Sequence, residues 1–260
     1  MSRQAEYDAG LVIAMFSEAR HFLDAADFRE EISDRPYRTW LCRFDSASVV
    51  VLQSGIGMVQ AAAGTQFLIS SYRPEIIGNF GCAGAHRQDL NPGDVVVGDR
   101  CVAHYNMQIL PDGTERYVGF TTEEGSDIAH AGDQDGVHSD QTLVRKAIAA
   151  AKVTGVESWP GSTTPGTVHV GAVGSADIWT QQASRLRALH QQHGTLCEDM
   201  EAAAIARIAG NQGVPFFTVK DISNNELQAS TDLTDFSDFP VVEVGKRAAR
   251  VVEQLLRDLR

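Results

Sequence analysis

The chain has 260 residues, of which 43% are hydrophobic and 22% charged, and its formal net charge is −12. This composition is typical of a globular enzyme, and the length suffices for one large or two small domains with a full hydrophobic core. The acidic balance argues against a nucleic-acid partner, because a surface that binds phosphates needs clustered Lys and Arg.

Predicted strands and helices alternate from the first apolar run onward. Short apolar runs predict buried strands at 11–15, 48–54, 76–80, 93–104, 167–174 and 215–222. Apolar residues at helical spacing predict helices at 57–72, 141–153, 177–192, 199–213 and 242–259. This alternation is typical of an α/β fold with a largely parallel sheet, and no internal repeat or linker divides the chain.

The cysteines and the apolar runs bear on the compartment. The four cysteines are dispersed without a C-x-x-C pair, which favours reduced thiols over a disulfide framework. The N-terminal ten residues are polar and unlike a signal peptide. No apolar run approaches the roughly 20 residues that span a bilayer. We therefore expect a cytoplasmic protein without a membrane partner.

A polar stretch at 121–140 contains several Asp and His residues. Their spacing matches neither an EF-hand loop nor a His-x-x-x-His helix pair, so we expect no metal site. The stretch is interpreted as a surface loop or as a lid over the active site.

Ligands of open α/β sheets bind at the carboxyl ends of the strands, so the residues after each predicted strand are candidates for a site. These segments are "FSEAR" with Glu18, "SGIGMVQ", "GCAGA", "SADIW" and "SNNE". Each alone is weak evidence, because a Gly-Ile-Gly is usually a tight turn. A glutamate in a first helical turn, such as Glu18, often only complements the helix dipole.

Taken in order, these segments resemble the nucleoside phosphorylase/nucleosidase superfamily. The most similar branch is hydrolytic: the 5'-methylthioadenosine/S-adenosylhomocysteine nucleosidases and futalosine hydrolases. The resemblance is carried by "AMFSEA", "SGIGMVQAA", "NFGCAG", "PGDVVV", "VGSADIW", "EDMEAAAIA" and "VPFFTVKDISN". It covers nearly all of the chain except about 105–165.

For the architecture, the resemblance implies one nucleoside phosphorylase-like α/β domain over residues 1–260. Its central sheet would be mixed, mostly parallel and twisted, with flanking helices and a loop-rich insertion at about 105–165. The resemblance also implies a homodimer, with Met58 and Phe67 near the interface, and a reaction that needs no metal or organic cofactor.

On the sugar side, the resemblance implies that Glu201 binds the ribose 2'- and 3'-hydroxyls, and that Met200 lies beneath the ribose. A carboxylate suits both the two hydroxyls and a sugar that becomes cationic in the transition state. Glu18 falls at the glutamate that activates the attacking water. Asp199 replaces a glutamate of the family pattern and is a candidate supporting residue, whereas Glu198 is expected to be solvated.

On the base side, Trp179 falls where an aromatic ring stacks on the purine, although a Trp at a helix start can also pack in the core. Cys82, Ala83 and Gly84 fall at a short loop beside base and sugar. The family forms no thioester, so Cys82 is interpreted as a small buried replacement for serine and not as a nucleophile.

The base itself is indicated by Asn224, which stands where adenine-specific members carry an Asp that helps to protonate purine N7. An Asn cannot supply that proton, but it can donate to O6 of a 6-oxopurine and accept from N7–H. Asn224 therefore favours a 6-oxopurine, although a flipped amide could accept from an adenine N6 amine. Asp221 occupies a usually small position, and it either reaches the base or lies at the surface.

The nucleophile is predicted to be water. Phosphorylases of the superfamily hold phosphate with a "GDPxR"-like turn and an arginine before the next glycine-rich loop. This chain has "AMFSE" and Asn79 there, so a phosphate dianion would lack a cation.

We therefore expect a purine nucleosidase that acts on a small-molecule nucleoside by water attack at C1'. The alternatives are a purine nucleoside phosphorylase, an adenine nucleosidase of the methylthioadenosine type, and a non-catalytic nucleoside-binding member of the fold.

Overall fold

The computed structural model describes residues 5–32, 35–117, 120–122, 129–131, 136–232 and 240–259. The helices are α1 (Phe16–Asp24), α2 (Met58–Tyr72), α3 (Gln141–Thr154), α4 (Ala183–His193), α5 (Ala202–Asn211) and α6 (Lys246–Arg257). The strands are β1 (Tyr7–Ile13), β2 (Phe28–Ile32), β3 (Arg38–Phe44), β4 (Ala47–Gln53), β5 (Pro74–Ala85), β6 (Val95–Ala103), β7 (Met107–Ile109), β8 (Glu115–Tyr117), β9 (Phe120–Thr122), β10 (Ala129–Ala131), β11 (Val137–His138), β12 (Val168–Ser175), β13 (Thr195–Asp199) and β14 (Phe216–Asn224).

A ten-stranded mixed sheet forms the central layer, in the order β11-β6-β12-β13-β5-β1-β4-β3-β2, and β14 pairs with both β5 and β6. Parallel ladders join β4, β1, β5 and β14, and also join β6, β12 and β13. Antiparallel ladders join β2, β3 and β4 at one edge and connect β13 to β5 and β14 to β6. The predicted α/β fold with a central mixed sheet is confirmed, with more antiparallel pairing than expected.

The strands β1, β4 and β14 are buried on both faces, which is why each contains a continuous apolar run in the sequence. Successive side chains of a strand point to opposite faces. Leu11 and Ile13 of β1 therefore pack in the core under α1, α3 and α6, and Val12 packs in the core under α2 and α5. Among the described residues, none of the helices has the length and apolar composition needed to cross a bilayer.

Three predicted helices begin later than expected: α6 begins at Lys246 and not at 242, and two others begin later near the carboxyl end of the sheet. Residues 195–199 pair as β13, so α5 begins at Ala202 and not at 199. Residues 176–182 form no helix and lead from β12 into α4, which begins at Ala183. Both differences place polar residues on non-helical backbone at the carboxyl end of the sheet.

The proposed insertion at about 105–165 includes short strands and the well-formed helix α3, whose N-terminus is capped by the Asp140 side chain. The polar stretch at 121–140 falls partly outside the described residues, at 123–128 and 132–135. Its interpretation as a loop or lid therefore stays a prediction.

The close packing around Gly78 in β5 generates a stability prediction. A Cβ added there would lie 2.6 Å from Leu11 Cδ2 and 2.6 Å from a ring carbon of Phe217. Gly78→Ala should therefore lower the free energy of unfolding by about 1–3 kcal/mol through overpacking, measured by urea denaturation.

Gly210→Ala is the matched control, because a Cβ there meets only Val137 Cγ1, at 3.9 Å. Gly210 lies within α5, where Ala is favoured over Gly by about 1 kcal/mol. The control should be neutral or stabilising. Equal unfolding midpoints for the two variants would contradict the packing argument.

Candidate active site

A cavity opens at the carboxyl ends of β1, β5, β13 and β14, the sheet edge at which the sequence predicts a site. All eight residues predicted for the site line this cavity, from five separate segments of the chain. They are Glu18, Cys82, Ala83, Gly84, Trp179, Met200, Glu201 and Asn224. The fold thus brings these residues together, and their chemical roles stay predictions that are argued below.

Glu18 lies in the first turn of α1, and its carboxylate faces the cavity. Its Oε2 accepts the backbone N–H of Met15 at 3.1 Å, which caps the helix, and its Oε1 accepts the N–H of Cys82 at 2.8 Å. Burial raises the pKa of Glu18, while the nearby Lys220 cation opposes that rise. The side chain thus serves the helix terminus, as its first-turn position suggests, and also presents a carboxylate to the cavity.

The Glu201 carboxylate is held against the turn that precedes α2. Its Oε1 accepts the N–H of Gly57 at 2.8 Å, and Gly57 has φ +106°, a conformation that favours glycine. Asp177 Oδ1 accepts the next N–H, that of Met58, at 2.7 Å. Burial and the neighbouring Asp199 raise the pKa of Glu201 to about 8. The "SGIG" turn therefore positions this carboxylate at the wall of the cavity.

One buried cation, Lys220, balances these acids, and sequence reasoning did not identify it. Its Nζ lies 2.7 Å from Asp199 Oδ2, and both side chains are almost fully buried. Burial opposes the charge of Lys220, but Asp199, Glu201 and Glu18 together raise its pKa. A lysine inside the predicted buried strand "PFFTVKDI" was the available signal, because an unpaired buried charge is very costly.

Asp199 lines the cavity and also binds the groups beneath it. Its Oδ1 accepts the hydroxyl of Ser175 at 2.5 Å, and its Oδ2 accepts the N–H of Ala202 at 3.0 Å, at the start of α5. The ion pair with Lys220 therefore ties β14 to the first turn of α5, next to Glu201. This arrangement agrees with the supporting position that the sequence indicated for Asp199.

The expectation that Glu198 is solvated is wrong. Glu198 is buried, and it accepts the N–H of Thr180 at 2.9 Å and the Thr180 hydroxyl at 3.1 Å. His86 Nε2 lies 3.1 Å and His104 Nε2 lies 3.4 Å from its Oε2. Burial opposes ionisation, but the two imidazoles and the Thr180 N–H lower the pKa of Glu198 to about 2. Its partners lie far away in the chain, so its burial is not visible in the local pattern.

Trp179 precedes Thr180 on the segment between β12 and α4. The side chain is 43% exposed at the cavity, next to Ile178, so the alternative of a core-packed Trp is wrong.

Cys82 also lines the cavity and is partly buried. Burial and the Glu18 charge raise the pKa of its thiol well above the ordinary value. A thiol in that state is a poor nucleophile, in agreement with the interpretation of Cys82 as a small packing residue.

Asn224 ends β14 with its amide at the cavity wall. Its Nδ2 donates to Glu226 Oε1 at 2.9 Å, and its Oδ1 accepts the hydroxyl of Ser223 at 2.8 Å.

Asp221 is fully buried and accepts the backbone N–H of Arg247 at 3.1 Å, on the other face of the sheet from Lys220. Both expectations for Asp221, a contact with the base and a surface position, are therefore wrong.

The places where phosphorylases would hold phosphate carry no cation here. None of the described residues that line the cavity is Lys or Arg. Asn79 is buried, donates from Nδ2 to the carbonyl of Val12 at 3.0 Å, and accepts from the Thr218 hydroxyl at 3.0 Å. Asn79 thus serves the packing of the sheet.

Comparison with known proteins agrees with this geometry. The family model described as "Phosphorylase superfamily" matches residues 8–257. A 5'-methylthioadenosine/S-adenosylhomocysteine nucleosidase of Marinomonas sp. (strain MWYL1) is 30% identical over 217 residues, which cover 83% of each chain. The enzyme of that name from Geobacillus thermodenitrificans (strain NG80-2) is 27% identical over 250 residues, which cover 95% of each chain.

Solved structures show the same fold. Futalosine hydrolase of Helicobacter pylori strain 26695 superposes with a TM-score of 0.76 at 20% identity, covering 97% of this chain and 98% of that one. The Neisseria meningitidis 5'-methylthioadenosine/S-adenosylhomocysteine nucleosidase in complex with methylthio-immucillin-A gives a TM-score of 0.74 at 20% identity, covering 96% and 98%. The resemblance read from the motifs is confirmed: the chain belongs to the phosphorylase superfamily, and its relatives place it among the N-glycosyl hydrolases of that family.

Proposed function

We propose that the protein is a purine nucleosidase that hydrolyses the N-glycosidic bond by water attack at C1', with a 6-oxopurine as the favoured base. The observation that carries the proposal is a cavity lined by four buried carboxylates, Glu18, Glu198, Asp199 and Glu201, with no Lys or Arg among its described lining residues. Such a cavity favours a cationic sugar and a neutral nucleophile over a phosphate dianion.

Glu201 holds the sugar in this proposal. Its two oxygens accept hydrogen bonds from the ribose 2'- and 3'-hydroxyls, and Met200 lies against the ribose ring. As the base leaves, the sugar becomes oxocarbenium-like, and the ionised form of Glu201 beside it stabilises that state more than the ground state. The backbone N–H of Gly57 keeps one Glu201 oxygen in place.

Glu18 activates the water. Burial raises its pKa, which brings the carboxylate closer to the neutral range in which a general base works best. Two backbone N–H groups fix its orientation, so little reorganisation is needed when it takes a proton. A module that only binds nucleosides has no need of such a group, and its placement therefore favours an enzyme.

Trp179 and Asn224 hold the base. The exposed face of Trp179 is available for stacking on a purine, beside the loop of Cys82, Ala83 and Gly84. Asn224 accepts from N7–H as the base departs and donates to O6. The names of the relatives point instead to adenine nucleosides, so an adenine nucleosidase is the second candidate.

We further propose a cytoplasmic homodimer. All four cysteines are free thiols, which suits a reducing compartment. Met58, expected near the interface, is buried in the core, whereas the adjacent Ile56 and Val59 are 54% and 76% exposed. Together with the half-buried Phe67 in the second half of α2, these two apolar side chains support an interface along this helix.

The nucleophile is tested with Glu18→Gln, which keeps the size of the side chain and an oxygen for one of its two N–H donors. Without a base for the water, release of the purine should fall at least about 100-fold, while nucleoside binding by calorimetry is retained. The wild type should release free ribose sugar equally well with and without phosphate. Cleavage that requires phosphate and yields ribose 1-phosphate would show a phosphorylase instead.

The sugar clamp is tested with Glu201→Gln. We expect a loss of about 2 kcal/mol or more in transition-state stabilisation, because a neutral amide binds the hydroxyls and the cationic sugar more weakly. The substitution should lower kcat/KM less for a 2'-deoxynucleoside than for the ribonucleoside. Equal reductions for the two substrates would show that Glu201 does not bind the 2'-hydroxyl.

The base preference is tested with Asn224→Asp. A carboxylate facing O6 should raise the activation free energy for inosine by about 1–3 kcal/mol and so lower its kcat/KM. The kcat/KM for adenosine should rise, because an acid now stands near N7. The expected signature is a crossover of the two substrates in one variant. A wild type that already prefers adenosine to inosine would contradict the 6-oxopurine assignment and leave the adenine nucleosidase.

A further inference from the structure

Glu226 is a second polar group on the base side of the cavity, and the mechanism above gives it no task. It follows β14 by two residues and lines the cavity. Its Oε1 accepts Nδ2 of Asn224 at 2.9 Å, and its Oε2 accepts the N–H of Thr231 at 2.8 Å. Gln181 Nε2 lies 3.4 Å from the same Oε2. The carboxylate is therefore held from several sides.

The charge of Glu226 decides which end of the Asn224 amide points where. An ionised carboxylate only accepts hydrogen bonds, so the amide nitrogen must face Glu226 and the amide oxygen must face Ser223. The Ser223 hydroxyl could serve either end, because it both donates and accepts. Burial opposes the ionisation of Glu226, but hydrogen bonds from Thr231 and Asn224 lower its pKa. The carboxylate is thus an acceptor at neutral pH.

Asn224 and Glu226 together present an ordered set of groups to the cavity: the amide oxygen accepts, the amide nitrogen donates, and Glu226 Oε1 accepts. A 6-oxopurine leaving with a proton on N7 presents the complement along one edge, with N7–H, then O6, then N1–H. Adenine presents an N6 amine to the amide nitrogen and an N1 lone pair to the carboxylate. Both of those contacts are mismatched, and mismatched buried polar groups are costly.

We propose that Glu226 is the residue that sets base specificity: it fixes the orientation of the Asn224 amide and itself accepts the N1–H of a 6-oxopurine. This inference rests on the proposed function and extends it from one residue to a pair. Oε1 has a second lone pair for the base beside the one that Asn224 uses. The two residues together form hydrogen bonds with three adjacent positions of the purine, N7, O6 and N1. Asn224 alone would bond to only two of them, and its amide would be free to flip.

The test is Glu226→Gln, which changes an acceptor into a donor without changing the shape. The new amide places its oxygen toward the Thr231 N–H and its nitrogen toward Asn224, whose amide then turns over. Position 6 of the base now faces the amide oxygen of Asn224, and position 1 faces the amide nitrogen of residue 226. An acceptor and a donor at these positions match the N6 amine and the N1 lone pair of adenine. The ratio of hypoxanthine to adenine affinity, measured by calorimetry with the free bases, should fall about tenfold or more. The ratio of kcat/KM for inosine and adenosine should fall with it.

Glu253→Gln is the matched control, because it makes the same chemical change on α6, where Glu253 pairs with Arg257 outside the cavity lining. It should leave both ratios unchanged. Glu226→Ala should weaken the binding of hypoxanthine without strengthening the binding of adenine. On the wild type, 1-methylinosine should be cleaved at least about tenfold less efficiently than inosine, because it lacks the N1–H donor.

The outcomes separate this inference from the proposed function. A wild type that releases no base from any purine nucleoside would overturn the proposed function. A wild type that hydrolyses nucleosides, with the base ratio unchanged in Glu226→Gln or with both bases weakened equally, would overturn the role of Glu226 alone. Equal cleavage of 1-methylinosine and inosine would do the same even if the variants failed to fold.

Discussion

The active cavity depends on one buried cation. Lys220 lies beneath it, 2.7 Å from Asp199, and its charge offsets those of Glu18 and Glu201. Without that charge, burial would drive the acids toward their neutral forms, and a neutral acid neither activates water nor stabilises a cationic sugar. Such a buried pair adds little stability over an apolar substitute, but losing one partner alone costs about 3–5 kcal/mol. The ion pair is thus better understood as part of the chemistry than of the core.

The two ends of the cavity use opposite electrostatic environments. On the sugar side, burial raises the pKa of Glu18 and takes that of Glu201 to about 8, so both lie nearer to neutral pH than exposed acids. On the base side, hydrogen-bond donors lower the pKa of Glu198 to about 2 and also lower that of Glu226. In the proposed function, the base side therefore carries fixed charges, whereas the sugar side carries acids that can exchange protons during the reaction.

The sequence predicts the parts of the molecule whose cause is local. Apolar runs locate the central strands, and the polar residues at their ends locate Glu18 and Asn224, whereas Glu201 was indicated by the family resemblance. What was missed depends on distant partners: Lys220 is paired with Asp199 on another strand, and Glu198 with His86, 112 positions away. The exposed edge strand β2 was missed as well, because its charged "FREEI" lacks a strand-like apolar pattern. A single sequence shows that a group is charged, but only the fold shows whether that charge is buried.

The run from Glu198 to Glu201 lies at the junction of β13 and α5, and there the backbone alone decides where each acid points. Glu198 faces the segment of Trp179, Asp199 faces Lys220, and Glu201 faces the turn before α2. A single inserted or deleted residue would redirect all three at once. This junction should therefore accept exchanges of side chains during evolution far more readily than changes of length, whereas the surface loops should accept both.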